Sequence, residues 1–188
     1  MTAAPRLARL AQRSAAEREQ ELDRCELCGS PIDAAHRHLL EPGKRELLCT
    51  CRACALLFDR GGRYLLVPER RTRLDGFELS DLAWEELRLP VDIAFFLRAL
   101  DGRLQAFYPS PMGATESQLP IEALELELEP EVEALLVNRA RGAREHWIVP
   151  IDDCFRLVAI IRMQWRGLTG GKEVWAEIDR FFEGLGGR

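Results

Sequence analysis

Cys25-Glu-Leu-Cys28-Gly29 and Cys51-Arg-Ala-Cys54 are the two stretches that decide the fold of the front part of this chain of 188 residues. Each stretch carries two cysteines with two residues between them, and 22 residues separate the two pairs. This spacing is typical of a zinc site with four thiolate ligands. The glycine after the first pair suits a tight turn, because it has no Cβ. Four thiolates close the tetrahedral shell around the ion, so the sequence predicts a structural zinc site and not a catalytic one.

Two other chemistries use the same four cysteines. Disulfides persist in oxidising compartments, but residues 1–6 lead into a charged segment and not into an apolar signal sequence. We therefore expect a cytoplasmic protein with reduced cysteines. A rubredoxin-like iron site also has four thiolate ligands, although the second pair here lacks the glycine usual in such sites, and iron stays the alternative to zinc. Metal binding contributes on the order of 10 kcal/mol in small metal-binding modules, so we expect residues 25–68 not to fold without the ion.

Three more potential ligands lie between the two cysteine pairs. Cys49 stands two residues before Cys51, and His36 stands two residues before His38, so on strands the members of each pair share a face. A turn at residues 42–43 would place the histidines across from these cysteines. Three interpretations remain open. The first is a second, exchangeable metal site of Cys49, His36 and His38, and the second is the replacement of one cysteine ligand of the four by a histidine. The third is a small buried cysteine beside histidines that are exposed or hydrogen-bonded to the backbone.

Composition and charge exclude several classes of protein. Hydrophobic residues make up 47% of the chain, which is enough for a globular core. The formal net charge of −5 would repel phosphates, so we do not expect a protein that coats nucleic acid. No apolar run approaches the 18 residues that suggest a transmembrane helix, so we expect no membrane insertion. The charge is uneven: residues 1–75 carry 14 basic and 11 acidic side chains, whereas residues 76–188 carry 12 and 20.

This change of charge, together with the cysteine block, predicts three parts. Residues 1–24 are rich in helix formers and are expected to be an N-terminal helix or arm. Residues 25–75 form a zinc-ribbon-like module, and residues 76–188 form a second domain. Within the module, two strand–turn–strand patterns predict two hairpins, namely His38–Glu41 with Arg45–Leu48 around Pro42-Gly43-Lys44, and Ala55–Phe58 with Arg63–Val67 around Gly61-Gly62.

The second domain has the periodicities of both strands and helices. Helical spacing predicts a short helix at 79–87, capped by Ser80, and two C-terminal helices after Pro150 that are joined by a glycine-rich connection at 167–171. Strands are predicted for 91–100 and 103–108 around Asp101-Gly102, for 124–129 and for 132–137. The fold class is therefore α+β, with a small antiparallel sheet packed against a C-terminal helical pair.

The segment Phe-Tyr-Pro-Ser-Pro-Met-Gly-Ala-Thr-Glu-Ser at 107–117 predicts a long loop of small residues after a hairpin. No histidine or lysine lies nearby to activate its hydroxyls, so it predicts no nucleophile. It is either a turn capped by its own hydroxyls or a loop that docks a partner through Tyr108, Ser110, Met112, Thr115 and Glu116. His146 stands alone and is expected to be structural. Gly167-Leu-Thr-Gly-Gly-Lys172 lacks the spacing of a Walker phosphate loop. These segments provide no catalytic set, so we expect a protein that is not an enzyme.

Three segments carry a resemblance to a known family: CELCG…HRHLL…CTCRACALLF, YPSPMGATES, and PIDDCFRLVAIIRMQWRGLTGGKEVW. Together they cover most of residues 25–183, and they resemble an uncharacterised bacterial family catalogued as a domain of unknown function. Members of that family are encoded beside uptake [NiFe]-hydrogenases of the actinobacterial type. The resemblance implies an accessory role in hydrogenase assembly or function, with a hydrogenase subunit or maturation factor as the protein partner. It implies no catalytic residues.

The leading interpretation is thus a zinc-binding accessory protein that docks a metalloenzyme. A nucleic-acid-binding ribbon is the alternative that the arginines around the cysteines suggest, although aromatic residues are sparse there and the second half is acidic. Its candidate residues are Arg52, Arg60, Arg63, Arg70, Arg71 and Arg73. A rubredoxin-like electron carrier is the third possibility.

Overall fold

The computed structural model describes residues 23–59, 62–117, 126–167 and 169–187. The chain divides into two compact units, residues 1–64 and residues 65–188. The described ranges contain four α-helices and two antiparallel sheets, one of three strands and one of six. This confirms the α+β class. The predicted N-terminal helix or arm lies outside the described residues except for its last two positions.

The elements follow the chain in a simple order. The strands are β1 Arg37–Glu41, β2 Glu46–Thr50, β3 Leu65–Leu66, β4 Thr72–Arg73, β5 Ile93–Arg98, β6 Leu104–Ser110, β7 Gly113–Glu116, β8 Glu133–Asn138 and β9 Glu145–Pro150. The helices are α1 Arg52–Phe58, α2 Asp81–Glu86, α3 Ile151–Gln164 and α4 Gly171–Leu185. No helix in the described ranges is both long and apolar enough to cross a membrane.

A hairpin of β1 and β2 is the centre of the first unit. The two strands pair antiparallel, with Leu39 opposite Leu48 and Leu40 opposite Leu47. Leu39 and Leu40 are fully buried. The chain reverses at residues 42–45, where the amide of Lys44 donates to the carbonyl of Glu41 over 3.1 Å. This confirms the hairpin predicted around Pro42-Gly43-Lys44. In the three-stranded sheet the strand order is β2-β1-β3.

The second predicted hairpin of the cysteine-rich part is wrong, because Ala55–Phe58 is helical. These residues belong to α1, which begins directly after Cys51. Ala, Leu and Arg are good helix formers, and the Cys51 sulfur accepts a hydrogen bond from the amide of Cys54 in the first turn. The apolar run is not a buried strand, since Leu56 and Leu57 remain exposed. Gly61, in the turn predicted there, lies outside the described residues.

The six-stranded sheet organises the second unit, with strand order β4-β9-β8-β5-β6-β7. All six residues of β8 are buried, as expected for a strand with both faces covered. The predicted strand at 132–137 is therefore confirmed as β8, and the hairpin around Asp101-Gly102 as β5 and β6. In that turn the amide of Ala99 donates to the carbonyl of Arg103 over 2.8 Å, and Gly102 has a φ of 86°, which suits glycine.

The two faces of this sheet are covered by different elements. Helix α3 contacts β6, β7, β8 and β9 on one side, and α4 packs against α3. This confirms the predicted C-terminal helical pair on the sheet. The apolar core that includes Phe96 of β5 also contains Trp84 of α2. Ser80 caps α2 by accepting a hydrogen bond from the amide of Ala83, as predicted.

Two further predicted elements need correction. The long loop predicted at 107–117 is wrong, because residues 107–110 continue β6 and residues 113–116 form β7. Pro111 and Met112 remain as the turn between the two strands. Of the predicted strand at 124–129, residues 124–125 lie outside the described ranges and residues 126–129 are irregular. Alternating Glu and Leu did not suffice there, because no strand among the described residues pairs with residues 126–129.

His146 occupies a buried position in β9 beside the ring of Phe77. Its Nε2 is buried and has no hydrogen-bond partner among the described residues. Burial lowers the pKa of His146, and the positive charges of Arg139 and Arg144 lower it further. The imidazole is therefore held in its neutral form within the second unit.

This depressed pKa predicts that the second unit loses stability in mild acid. As the pH falls below about 6.5, the unfolded chain binds a proton at this histidine before the folded chain does. The stability is present above that pH and declines below it. Urea unfolding followed between pH 8 and pH 5.5 should show the decline, and His146→Gln should flatten it. An equally steep decline in the variant would contradict this role for His146.

Candidate metal centre

The first cysteine pair lies in a tight turn held by backbone hydrogen bonds. The amide of Cys25 donates to the carbonyl of Ser30 over 2.8 Å, and the amide of Gly29 donates to the carbonyl of Cys25 over 2.7 Å. Gly29 has a φ of 74°, where a side chain would be strained. An isolated bridge between Arg24 and Pro31 closes the base of the turn. The sequence Cys-x-x-Cys-Gly therefore forms the knuckle that its spacing predicts.

The second pair is held differently, at the start of a helix. Cys51 is the N-cap of α1, and Cys54 lies in its first turn. The carbonyl of Cys51 accepts from the amide of Ala55 over 2.9 Å, and its sulfur accepts from the amide of Cys54 over 3.4 Å. The helix thus fixes the two sulfurs of this pair on one side of the turn.

The four sulfurs are brought together from segments far apart in sequence. The Sγ atoms of Cys25, Cys28, Cys51 and Cys54 all lie within 4.8 Å of one another. Sulfurs at the corners of a tetrahedron, each 2.3 Å from a zinc ion, lie about 3.8 Å apart. The distance between Cys28 Sγ and Cys51 Sγ is 3.8 Å. All six cysteines of the chain are described, and each has a free thiol. The cluster can hold a metal ion.

The surroundings of the cluster favour the thiolate form of two of its four cysteines, Cys25 and Cys28. Hydrogen bonds from Ser30 lower the pKa of Cys28 to about 6. Burial opposes ionisation of Cys25, but backbone amides, including that of Cys51, outweigh it and lower the pKa. Burial raises the pKa of Cys54, which lies among the other three sulfurs. A cation is the charge that would let all four sulfurs be thiolates at once.

The interior of the first unit around the cluster is small. Its buried residues are Cys25, Ile32 and Cys54, and Leu27, Cys49 and Cys51 pack against them. Four of these six side chains are cysteines, and they bury little apolar area compared with leucine or phenylalanine. A core of this size contributes little to folding, so a bound ion would be the main source of stability here.

Glu26 is a residue that the sequence did not single out. Its amide donates to the carbonyl of Cys49 over 2.9 Å, and its carboxylate accepts from the amide of Cys49. It therefore ties the first knuckle to the end of β2. No local signal announces this role, because the two residues are 23 positions apart and meet only in the folded chain.

The three other predicted ligands also lie together. The structure pairs His38 with Cys49 across β1 and β2, and ligand atoms of His36, His38 and Cys49 lie within 4.8 Å of one another. The rings of the two histidines are in edge contact, with centroids 4.8 Å apart. Burial raises the pKa of Cys49, and the carboxylates of Glu26 and Asp23 raise it further. The sixth cysteine, Cys154, is fully buried in α3, far along the chain from both clusters.

The residues considered for docking form the turn between β6 and β7. The Ser110 hydroxyl lies 3.2 Å from that of Thr115, donates to the carbonyl of Gly113 and accepts from the amide of Met112. The hydroxyls thus hold the turn, and Met112 at its tip is exposed. The Glu116 carboxylate accepts from Gln105, and Tyr108 is half-buried in β6.

Most of the arginines considered for nucleic-acid binding face acidic partners. Arg63 pairs with Glu41, and Arg73 pairs with Asp75. Arg70 makes two hydrogen bonds to the buried carboxylate of Glu133, at 2.9 and 2.7 Å. Arg71 binds Asp153, as described below. Arg52 is exposed on α1, and Arg60 lies outside the described residues.

Comparison with known protein families finds a match over nearly the whole chain. The model of a family described as "Family of unknown function (DUF5947)" matches residues 24–188, which include both donor clusters and the whole second unit. No curated protein and no solved structure matches the chain. Because the match covers nearly all of the sequence, the chain belongs to this family of unknown function, DUF5947.

Proposed function

We propose that the protein is a zinc-binding accessory protein, not itself an enzyme, that docks onto a metalloenzyme during its assembly or maturation. The observation that carries the proposal is the four-cysteine cluster, whose sulfurs lie within 4.8 Å of one another. Four thiolates would fill every position of a tetrahedral ion and leave none for a substrate or an activated water. The ion would then shape the first unit and take no part in a reaction.

Zinc is the metal we propose for this cluster, with iron as the alternative. Both ions accept four thiolates in tetrahedral geometry. The second knuckle opens a helix at Cys51 and lacks the glycine usual in rubredoxin-like sites, which favours zinc. Elemental analysis of freshly purified full-length protein distinguishes the two, because an iron site would also be coloured and would show a reversible couple.

A docking role is supported by large apolar side chains that remain in water. Leu56 and Leu57 of α1 are 65% and 74% exposed, and they lie two and three residues after Cys54, one of the proposed ligands. Exposed apolar groups of this kind mark protein interfaces when they cluster. A seven-residue helix is too short to hold the protein on a bilayer. We therefore propose that these leucines enter an apolar groove of a protein partner.

The partner we propose is a [NiFe]-hydrogenase subunit or one of its maturation factors. The support for this choice is the resemblance of the cysteine block and the C-terminal segment to a family encoded beside such hydrogenases. Nucleic acid is a weaker alternative, because Arg63, Arg70 and Arg71 each pair with a carboxylate and so carry little free positive charge.

The test is recovery of the partner with the tagged full-length protein from a cell that expresses the hydrogenase. We expect hydrogenase subunits in the eluate, and we expect Leu57→Glu to reduce their recovery more than about tenfold, since a buried charge at an interface is costly. Leu82→Glu is the matched control, because Leu82 is 68% exposed on another short helix, α2. A protein recovered alone as a monomer, or equal recovery with both variants, would contradict the proposal.

A further inference from the structure

The donor cluster of His36, His38 and Cys49 has the make-up of a second metal site. The antiparallel register fixes His38 directly opposite Cys49, and His36 immediately precedes β1. Directly opposed residues in such a pair place their side chains on the same face of the sheet. As a result, one ligand atom from each of the three residues lies within 4.8 Å of the other two.

The tautomer of His36 is set by its neighbour Asp33. Its Nδ1 lies 2.8 Å from the carbonyl oxygen of Asp33. A carbonyl only accepts hydrogen bonds, so Nδ1 carries the proton and, in the neutral ring, Nε2 has the lone pair. Metal-bound histidines donate their other ring N–H to a carbonyl or carboxylate in this way. The backbone therefore presents Nε2 of His36 as a ligand.

That lone pair has no partner in the part of the chain that the structure describes. Nε2 of His36 is buried and makes no hydrogen bond there. Leaving a buried ring nitrogen unpaired costs about 1–3 kcal/mol. His146 Nε2 is also buried and unpaired, but of these two histidines it is His36 that lies in a group of possible metal ligands among the described residues. The buried acceptor beside a second imidazole and a thiol is instead what a cation would satisfy.

We propose that His36, His38 and Cys49 form a second, exchangeable site for a divalent transition-metal ion, distinct from the four-cysteine cluster. Two imidazoles and a thiolate suit Zn²⁺, Co²⁺ or Ni²⁺, whereas Mg²⁺ and Ca²⁺ require oxygen ligands. Three protein donors leave a fourth tetrahedral position to water or to a donor from another molecule. The open position is what makes the ion exchangeable. The site goes beyond the proposed function and depends neither on the hydrogenase partner nor on the docking helix.

Glu26 helps to keep this site in place from outside it. Its carboxylate accepts the amide hydrogen of Cys49, and its own amide donates to the carbonyl of the same residue. Both bonds fix the backbone that carries the Cys49 thiol, so the thiol is positioned before an ion arrives. Pre-positioned ligands lose less conformational freedom when they bind.

The test is equilibrium dialysis of the full-length protein against Co²⁺ under reducing, anaerobic conditions, with the metal-to-protein ratio and the absorption spectrum as readouts. We expect two equivalents in the unmodified protein. The first should give the strong sulfur-to-cobalt bands of four thiolates, and the second should add weaker charge-transfer intensity from one thiolate.

Substitutions separate the two equivalents. Cys49→Ser, His36→Gln and His38→Gln should each weaken binding of the second equivalent more than about tenfold and leave the four-thiolate bands of the first unchanged. Those bands also report that the first unit of each variant is folded. Cys154→Ala is the matched control, since it removes a thiol that is buried in α3, and it should keep both equivalents.

Two outcomes would overturn the proposal. One is a single equivalent in the unmodified protein at saturating Co²⁺. The other is a second equivalent that binds with unchanged affinity in both Cys49→Ser and His36→Gln. Neither outcome bears on the four-cysteine cluster or on partner recovery, so this proposal fails separately from the proposed function.

Discussion

Removal of the metal should unfold the first unit of the full-length protein. A strong zinc chelator used in reducing buffer, or the substitution Cys54→Ser, should abolish the protection of backbone amides in β1 and β2 against hydrogen exchange. The reason is that ligation of a structural zinc contributes on the order of 10 kcal/mol, whereas the core around the cluster consists largely of the cysteines themselves. Hydrogen exchange measured by mass spectrometry checks the result segment by segment.

The second unit provides the internal control for this prediction. Strands β5 and β8 contribute Phe96 and Leu135 to a core that also contains Trp84. Neither strand contains any of the proposed ligands. Their amides should stay protected after chelation, and Cys154→Ala should leave β1 and β2 protected as well. Unchanged protection of β1 and β2 in the metal-free protein would contradict a folding role for the metal.

Asp153→Asn should destabilise the second unit by about 3 kcal/mol or more. Asp153 lies in the first turn of α3 and is almost completely buried, and its two carboxylate oxygens contact the guanidinium groups of Arg71 and Arg156. Its hydrogen bond to Arg71 raises the pKa of that guanidinium. Loss of the carboxylate charge deprives the Arg71 cation, whose side chain is 20% exposed, of its hydrogen-bonded counter-charge and leaves it the attraction of Asp152 and Glu69. Removing one partner is the costly way to break a buried ion pair.

Urea unfolding of the second unit measures the effect, with Glu177→Gln as the control. Glu177 pairs with Arg180 on the surface of α4 at 2.7 Å, and exposed pairs contribute at most about 1 kcal/mol. We expect the control to change the free energy of unfolding by less than that amount. A loss of under 0.5 kcal/mol (roughly the effect of a surface substitution) in Asp153→Asn would show that the pair with Arg71 does not stabilise the unit.

Local signals were sufficient for the parts of the fold that depend on near neighbours. The C-x-x-C spacing gave the two knuckles, Asp101-Gly102 gave a hairpin, and helical periodicity gave α3 and α4. The pairing of His38 with Cys49 also followed from the sequence, because a turn at residues 42–43 fixes the register of the strands that flank it. In each of these cases the deciding residues lie close together in the chain.

The features that the sequence did not reveal depend on distant partners. Strand β9 was not predicted from the sequence, because it is buried on both faces and so lacks an alternation of apolar and polar residues. In the sheet it lies between β8, which directly precedes it, and β4, which lies far earlier in the chain. The pair of Arg71 and Asp153 spans 82 positions. Ala55–Phe58 was predicted to be a strand because a short apolar run suits either a strand or a helix. The cap at Cys51 decided in favour of the helix.

The most direct test of the central claim is X-ray absorption at the zinc edge on the Cys49→Ser protein, in which the second site is disabled. We expect one zinc per chain, with four sulfur neighbours about 2.3 Å away and no nitrogen or oxygen neighbour. A protein that purifies without metal, or a zinc ion with nitrogen or oxygen in its first shell, would contradict the assignment of Cys25, Cys28, Cys51 and Cys54 as the four ligands.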